Sequence, residues 1–196
     1  MTPDRPSDAL TDDLVTAAVA GDGDALGTVY RILAPKVLGY LTAHGAEDPE
    51  GLTNEVFLHV LRRLGGLVGG SAGLRTFVFS VAHARLVDET RRRARRPATV
   101  EFDATRHDSA APSAELEAMS GLDTERVQTL LARLAPDYRE VLSLRIVADL
   151  GVEQTAAVMN RSAGSIKQLQ RRALLALRAE LEAVTQFPSH SITDMT

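Results

Sequence analysis

The feature that most constrains the fold is a helical pattern of apolar residues that is present in two blocks and lost between them. Apolar side chains recur every three to four residues over residues 10–96 and again over residues 124–185, the spacing that places them on one face of a helix. The intervening residues 97–123 are rich in Pro, Ser, Ala and acidic residues. No alternation of apolar and polar residues is long enough to predict a strand. The sequence therefore predicts an all-α protein with two small helical domains, a flexible linker between them, and a short tail at residues 186–196.

The composition excludes several classes of protein. The chain has 196 residues, of which 44% are hydrophobic and 24% charged, as in a soluble globular protein. It has no apolar run near the roughly 18 residues of a membrane span. Its N-terminus lacks the basic-then-apolar pattern of a secretory signal, so we expect a cytoplasmic protein without membrane insertion. The absence of cysteine excludes a disulfide framework and cysteine-ligated zinc.

No combination of residues predicts an enzyme. The glycine-rich stretch GGLVGGSAG follows a helical segment and lacks the lysine of a phosphate-binding loop. No Ser, His and acidic residues form a recognisable catalytic set. The five histidines are scattered, without a close pair at metal-ligand spacing: His44, His59, His83, His107 and His190. We therefore expect no catalytic residue, no metal site, no cofactor and no small-molecule substrate.

Positive charge is concentrated in two short stretches of a chain whose net charge is −4. Six arginines lie between Arg85 and Arg96. Five basic residues and no acidic residue lie between Asn160 and Arg178. A local basic surface on an acidic protein indicates a local polyanionic ligand such as DNA. The alternative is that each stretch is only a solvated helix face.

The second basic stretch lies within a pattern typical of a helix-turn-helix, VEQTAAVMNRSAGSIKQLQRRALLAL. Ala156 is small enough for two helices to cross closely. Asn160 tolerates the positive φ that the turn requires, and Ser162 is a candidate N-cap for the second helix. The stripe predicted to pack inward on that helix consists of Ile166, Leu169, Ala173 and Leu177.

The other face of the second helix is the candidate DNA-binding surface, because the second helix of such a motif enters the major groove. Lys and Arg there would neutralise phosphates, while Ser, Gln and Lys near the N-terminus can reach base edges. The predicted DNA-binding residues are Ser162, Ser165, Lys167, Gln168, Arg171 and Arg172. The alternative is a helical hairpin with a basic exposed face.

The order and spacing of motifs over nearly the whole chain resemble the extracytoplasmic-function (ECF) group of bacterial sigma factors in the sigma-70 family. GLTNEVFLHVLRRL resembles the family's polymerase-binding helix, although Asn54 replaces Gln and Gly51 replaces Asp. LRTFVFSVAHARLVDETRRRARRP resembles its promoter-melting and −10 recognition helix. Phe77 stands there in place of the usual Trp, and Ala84 in place of a frequent Asn.

The second block resembles the family's −35 domain. Its opening matches at Leu134, Pro136, Arg139, Glu140, Val141 and Leu142. The turn into its second helix matches at Gly164, Ser165, Ile166 and Lys167.

The resemblance implies a division of the chain into sigma region 2 at residues 10–96, a linker at residues 97–123 and sigma region 4 at residues 124–185. The implied polymerase-binding residues are Asn54, Glu55, Leu58 and Arg62. The implied −10 and melting residues are Phe77, His83, Arg85, Asp88, Arg91 and Arg92. Residues 65–73 lie where the family has its base-capturing loop; the alternative is a flexible connection.

The implied function is that of a sigma factor, which binds core RNA polymerase and directs it to promoter DNA by reading −35 and −10 elements. An anti-sigma factor is left open as a further partner. The alternative function is a stand-alone helix-turn-helix regulator that binds DNA without polymerase.

Overall fold

The structure is a computed structural model that describes residues 9–95 and 130–185. Within these two ranges every regular element is helical, which confirms the all-α prediction. The predicted linker at residues 97–123 and the tail at residues 186–196 lie outside the described residues.

Four α-helices form the N-terminal half. They are α1 (Asp12–Val19), α2 (Gly23–Ala43), α3 (Pro49–Arg63) and α4 (Gly70–Arg95), with a 3-10 turn at Leu64–Gly66 after α3. The first three each begin after an N-cap residue whose side chain accepts a hydrogen bond from a backbone N–H of the first turn. These N-cap residues are Thr11, Asp22 and Asp48. The chain turns between α1 and α2 at Gly21, whose φ of 93° is readily adopted only by glycine.

Pro35 lies on the exposed side of α2 and does not interrupt the helix. One local prediction for the N-terminal half was wrong in part: residues 70–73, at the end of the predicted glycine-rich loop, are the first turn of α4. That turn is held by the Asp12 carboxylate, which accepts a hydrogen bond from the Ser71 backbone N–H at 2.8 Å. A side chain at Gly73 would collide with the Val68 carbonyl oxygen, so glycine here permits close packing.

In the C-terminal half, the structure describes residues 130–185, where residues 130–133 are helical and three further α-helices follow. They are α5 (Pro136–Leu142), which continues as a π-helical turn at Ser143–Val147, then α6 (Val152–Met159) and α7 (Ala163–Thr185). Its own core includes Val141, Leu142, Ile166 and Ala173, all at most 1% exposed.

The two halves pack against each other. The core of the N-terminal half is built around Tyr40 and Phe79. It is continuous with four buried residues of the C-terminal half: Leu144, Ala148, Leu150 and Val158. Helix α6 lies against α4, where the Gln154 amide donates hydrogen bonds to the Ala72 carbonyl and the Thr76 hydroxyl. The described residues of the two halves are therefore packed together.

Candidate DNA and polymerase interfaces

The turn between α6 and α7 has the geometry predicted for a helix-turn-helix. Asn160 ends α6 in the left-handed conformation, with φ 51° and ψ 49°. The Arg161 backbone N–H returns to the Ala156 carbonyl at 2.9 Å. The Ser162 hydroxyl accepts a hydrogen bond from the Ser165 backbone N–H at 3.2 Å, so Ser162 is the N-cap of α7. The Arg161 guanidinium donates to the Asp137 carboxylate at 2.6 Å, which fixes the turn against α5.

Helix α7 has a buried face and an exposed polar face, as its periodicity predicts. Ile166 and Ala173 are fully buried, and Leu169 and Leu177 pack on the same core. Of the residues predicted to bind DNA, Ser165 is half-buried, and the others are exposed: Ser162, Lys167, Gln168, Arg171 and Arg172. The predicted DNA-binding surface is therefore open to a ligand.

A second exposed surface lies on α3. All four residues predicted to bind polymerase are exposed there: Asn54, Glu55, Leu58 and Arg62. The Leu58 side chain is 55% exposed and its neighbour Leu61 49%. The helical spacing of the apolar residues in this segment predicts that both leucines face inward, but Val56, Phe57 and Val60 fill the core instead. Exposed leucines on a polar helix are suited to binding another protein.

The residues predicted to act on the −10 element all lie on α4. The side chains of Asp88, Arg91 and Arg92 are exposed, and Arg85 is partly exposed, with its guanidinium 4.0 Å from the Glu55 carboxylate. This contact joins α4 to the exposed surface of α3. Positive charge in the last turn of α4 also suits the negative end of the helix dipole.

A groove of about 760 Å³ lies beside the start of α4. Phe77 is half-buried at its edge, and Val68, which is 83% exposed, stands on the preceding turn. The groove therefore combines an aromatic ring with open backbone in the glycine-rich segment.

His83 contacts the C-terminal half. Its Nδ1 lies 2.9 Å from Oε1 of Glu140 and 3.1 Å from the Tyr40 hydroxyl. The Tyr40 hydroxyl donates to the same carboxylate oxygen at 2.7 Å. On the other side of the carboxylate, Nε2 of His44 lies 2.9 Å from Oε2. Glu140 is only 8% exposed, so its carboxylate is enclosed by three side chains of the N-terminal half.

Sequence reasoning identified Glu140 only as part of a motif, and it missed Tyr40 and His44. Burial acts to raise the pKa of Glu140, but hydrogen bonds and positive charge from His44 and His83 outweigh it and hold the pKa at about 2. The hydrogen bond to Glu140 raises the pKa of His83 above its ordinary value of 6.5, against the opposing effect of burial. Burial and the nearby carboxylate together raise the pKa of Tyr40.

Two kinds of site are not found in the part of the chain that the structure describes. Residues 9–95 and 130–185 contain no cluster of three His, Cys, Asp or Glu side chains able to hold a metal ion. No helix in these ranges combines the length and the apolar character needed to cross a membrane.

The chain is similar to known sigma factors along most of its length. The family model described as sigma-70, region 4 matches residues 124–177, which include the helix-turn-helix. The ECF RNA polymerase sigma factor SigD of Mycobacterium tuberculosis is 30% identical over 182 residues, which cover 90% of this chain and 86% of SigD. The ECF RNA polymerase sigma factor BldN of Streptomyces coelicolor is 29% identical over 84% of this chain, which spans 63% of BldN.

A solved structure shares the fold. CnrH in complex with the cytosolic domain of CnrY matches with a TM-score of 0.63 and 19% identity, over 89% of this chain and 99% of CnrH. Similarity to ECF sigma factors thus extends beyond the helix-turn-helix to most of the chain, including the segments that form α3 and α4. The chain belongs to the ECF RNA polymerase sigma factors of the sigma-70 family.

Proposed function

We propose that this chain binds core RNA polymerase and directs it to promoters, with region 2 at residues 10–96 and region 4 at residues 124–185. Helix α7 reads the −35 element, and α4 opens and holds the −10 region. The observation that carries the proposal is the exposed polar face of α7, where Lys167, Gln168 and Arg171 stand opposite the buried Ile166 and Ala173. A helix so divided, in a helix-turn-helix, fits the major groove.

The polymerase contact is assigned to the exposed face of α3. Asn54, Glu55, Leu58 and Arg62 offer polar groups and one large apolar side chain on a single helix, the mixture typical of protein interfaces. Tyr30, 42% exposed on α2, extends this surface, because its hydroxyl lies 3.4 Å from the Asn54 side-chain oxygen.

The −10 function is assigned to α4 and the turn before it. Arg91 and Arg92 would contact phosphates without regard to sequence. Phe77 and the groove beside Val68 would receive an unpaired base, because an aromatic ring stacks on any base. His83 belongs to the same helix, but in this packed form its ring is occupied by Glu140.

Core RNA polymerase acts on DNA in the cytoplasm of bacteria, so we place the protein there and assign it no catalytic activity of its own. A protein that covers the exposed α3 or α7 surfaces would act as an anti-sigma factor. The CnrH structure, solved with the cytosolic domain of CnrY, supports including such a partner.

The test is transcription by purified protein and core RNA polymerase on a library of random promoter fragments. The proposal predicts a set of specific start sites that share one pair of upstream elements. Transcription no different from core polymerase alone, together with duplex DNA binding by the protein alone, would instead favour the stand-alone regulator.

A further inference from the structure

The contact between the two halves includes a buried polar cluster around Glu140, and the groups of this cluster can change charge. Among the residues that the structure describes, every hydrogen-bond or ion-pair partner of the Glu140 carboxylate belongs to the N-terminal half: Tyr40, His44 and His83. The carboxylate therefore ties α5 to the N-terminal half. A buried charge destabilises the folded protein strongly when one of its partners is removed. The carboxylate is therefore either paired with these side chains or exposed to water.

The geometry at His44 requires a proton in the packed form. Its Nδ1 lies 2.7 Å from the Tyr40 backbone carbonyl, an oxygen that can only accept, so Nδ1 carries a hydrogen. Its Nε2 lies 2.9 Å from the Glu140 carboxylate, which also accepts when ionised. Without a further proton, Nε2 is a buried nitrogen with no hydrogen-bond partner. The pair is satisfied only when one proton lies between Nε2 and Oε2.

The other charged groups near the Glu140 carboxylate do not change charge near neutral pH, so they would not make the contact between the halves depend on pH there. The titratable and charged groups that face the carboxylate from the packed elements are Tyr40 and His44 of α2, His83 and Arg91 of α4, Asp137 and Arg139 of α5, and Arg161 after α6. The Arg139 guanidinium donates to the backbone carbonyls of Leu131 and Ala132, and Arg161 is paired with Asp137. Arginines keep their charge at all relevant pH values, so the pH response is assigned to His83 and Glu140.

When the two halves are packed together, they are too close to bind the −35 and −10 elements at the same time. Elements centred 25 base pairs apart are separated by about 85 Å along B-DNA, at about 3.4 Å per base pair. A packed body of this chain length has a radius of gyration of only about 15 Å. The 34 residues between the two described ranges can span at most about 110 Å, so the chain is long enough for the halves to separate.

We propose that Glu140, held by Tyr40, His44 and His83, is a proton-dependent clasp that locks region 4 onto region 2, and that the clasp must open before the two regions reach their promoter elements. The second clause rests on the proposed function, whereas the first rests on the geometry alone. A cavity of about 420 Å³ beside His44, His83 and Glu140 gives solvent protons access to the clasp.

The direction of the pH response follows from the two shifted groups. His83 has a raised pKa. Its contribution to the stability of the packed form is therefore complete below its ordinary pKa of 6.5 and is lost as the pH rises through the raised pKa. Glu140 has a lowered pKa. Its contribution to the stability of the packed form is therefore present above its ordinary pKa of 4.5 and is lost as the pH falls towards about 2. The clasp is therefore tightest between about pH 4.5 and pH 6.5 and loosens towards alkaline pH.

The test is energy transfer between two dyes, one on each half of the full chain, without polymerase. The chain has no cysteine, so exposed Ala20→Cys and Ala179→Cys provide the only attachment points. We expect transfer to fall from about pH 5.5 to about pH 8.5, and the ratio of closed to open molecules to change by at most tenfold per pH unit for one proton. Glu140→Gln should lower that ratio by at least about tenfold and flatten the response.

Two further variants make the result specific. Glu153→Gln removes an equal charge from an exposed position of the same half and should behave like the parent. His83→Gln changes a residue of the clasp that belongs to the other half. It should also make energy transfer depend less on pH. Circular dichroism would verify that helical content is kept. Transfer that does not depend on pH in the parent, or a Glu140→Gln protein that titrates like the parent, would overturn the clasp.

The consequence for promoters is measured separately. In transcription with core polymerase, the concentration of Glu140→Gln protein needed for half-maximal activity should fall by the factor by which its open fraction rises. An opened variant that needs the same concentration as the parent would overturn the inhibitory role. If neither protein supports transcription, the proposed function fails, while the energy-transfer result still decides the clasp.

Discussion

Replacement of Arg171 by Ala tests the DNA-binding face of α7. Arg171 is exposed, two turns into the helix, next to the equally exposed Arg172. If its guanidinium contacts one phosphate, the variant releases one counterion fewer on binding, and the slope of log affinity against log salt becomes shallower by about 0.9. Between about 50 and 200 mM salt, the variant should therefore lose about 3.5-fold less affinity than the parent. Binding of the polymerase complex to its promoter, measured across this range, gives the slope.

The matched control is Arg178→Ala on the same helix. Its guanidinium donates to the Glu182 carboxylate at 2.9 Å, so this variant loses the same formal charge from a residue that already has a partner. We expect its slope to equal that of the parent. An Arg171→Ala slope that equals the parent slope, or two variants with equally reduced slopes, would refute a specific phosphate contact at Arg171.

Four other predictions follow from single residues. Gln168→Ala should change the preferred −35 sequence more than the general affinity, which competition among promoter variants would measure; equal weakening on all sequences would contradict direct readout. Asn160→Ala should lower the free energy of unfolding by about 1 kcal/mol in urea, because φ is 51°, whereas Asn160→Gly should be close to neutral. Ile166→Ala should lower the same free energy by about 2–5 kcal/mol, because the side chain is fully buried; a loss below about 1 kcal/mol would show that the site is not packed as described. Leu58→Ser should weaken binding to core polymerase without loss of stability, because this side chain is 55% exposed; unchanged binding would remove it from the interface.

The helix-turn-helix could be predicted from the sequence because its determinants are local. The turn, the N-cap and the buried stripe depend on residues close together in the sequence: Asn160, Ser162 and Ile166. Each of them is therefore recognisable from the local sequence pattern. The exposed basic residues of α7 follow directly once the buried stripe is known.

Other features depend on distant parts of the chain. Leu58 and Leu61 are apolar and helically spaced, but the position of the neighbouring helices decides that Phe57 and Val60 enter the core instead. The start of α4 at Gly70 depends on Asp12, which lies 59 residues from its partner Ser71.

The contact between the halves was the feature least predictable from the sequence. Tyr40 and Glu140 are 100 residues apart, and neither residue breaks the pattern of its own helix. The spacing of the histidines along the chain could not show that His44 and His83 meet at one carboxylate.

A footprint on a promoter selected from the library, with and without core polymerase, tests the assignment most directly. The account predicts protection of both the −35 and the −10 regions, with unpaired bases near −10, only when the protein and core polymerase are both present. Equal protection of the same DNA by the protein alone, with no unpaired bases in either case, would contradict a sigma factor and indicate a regulator that acts without polymerase.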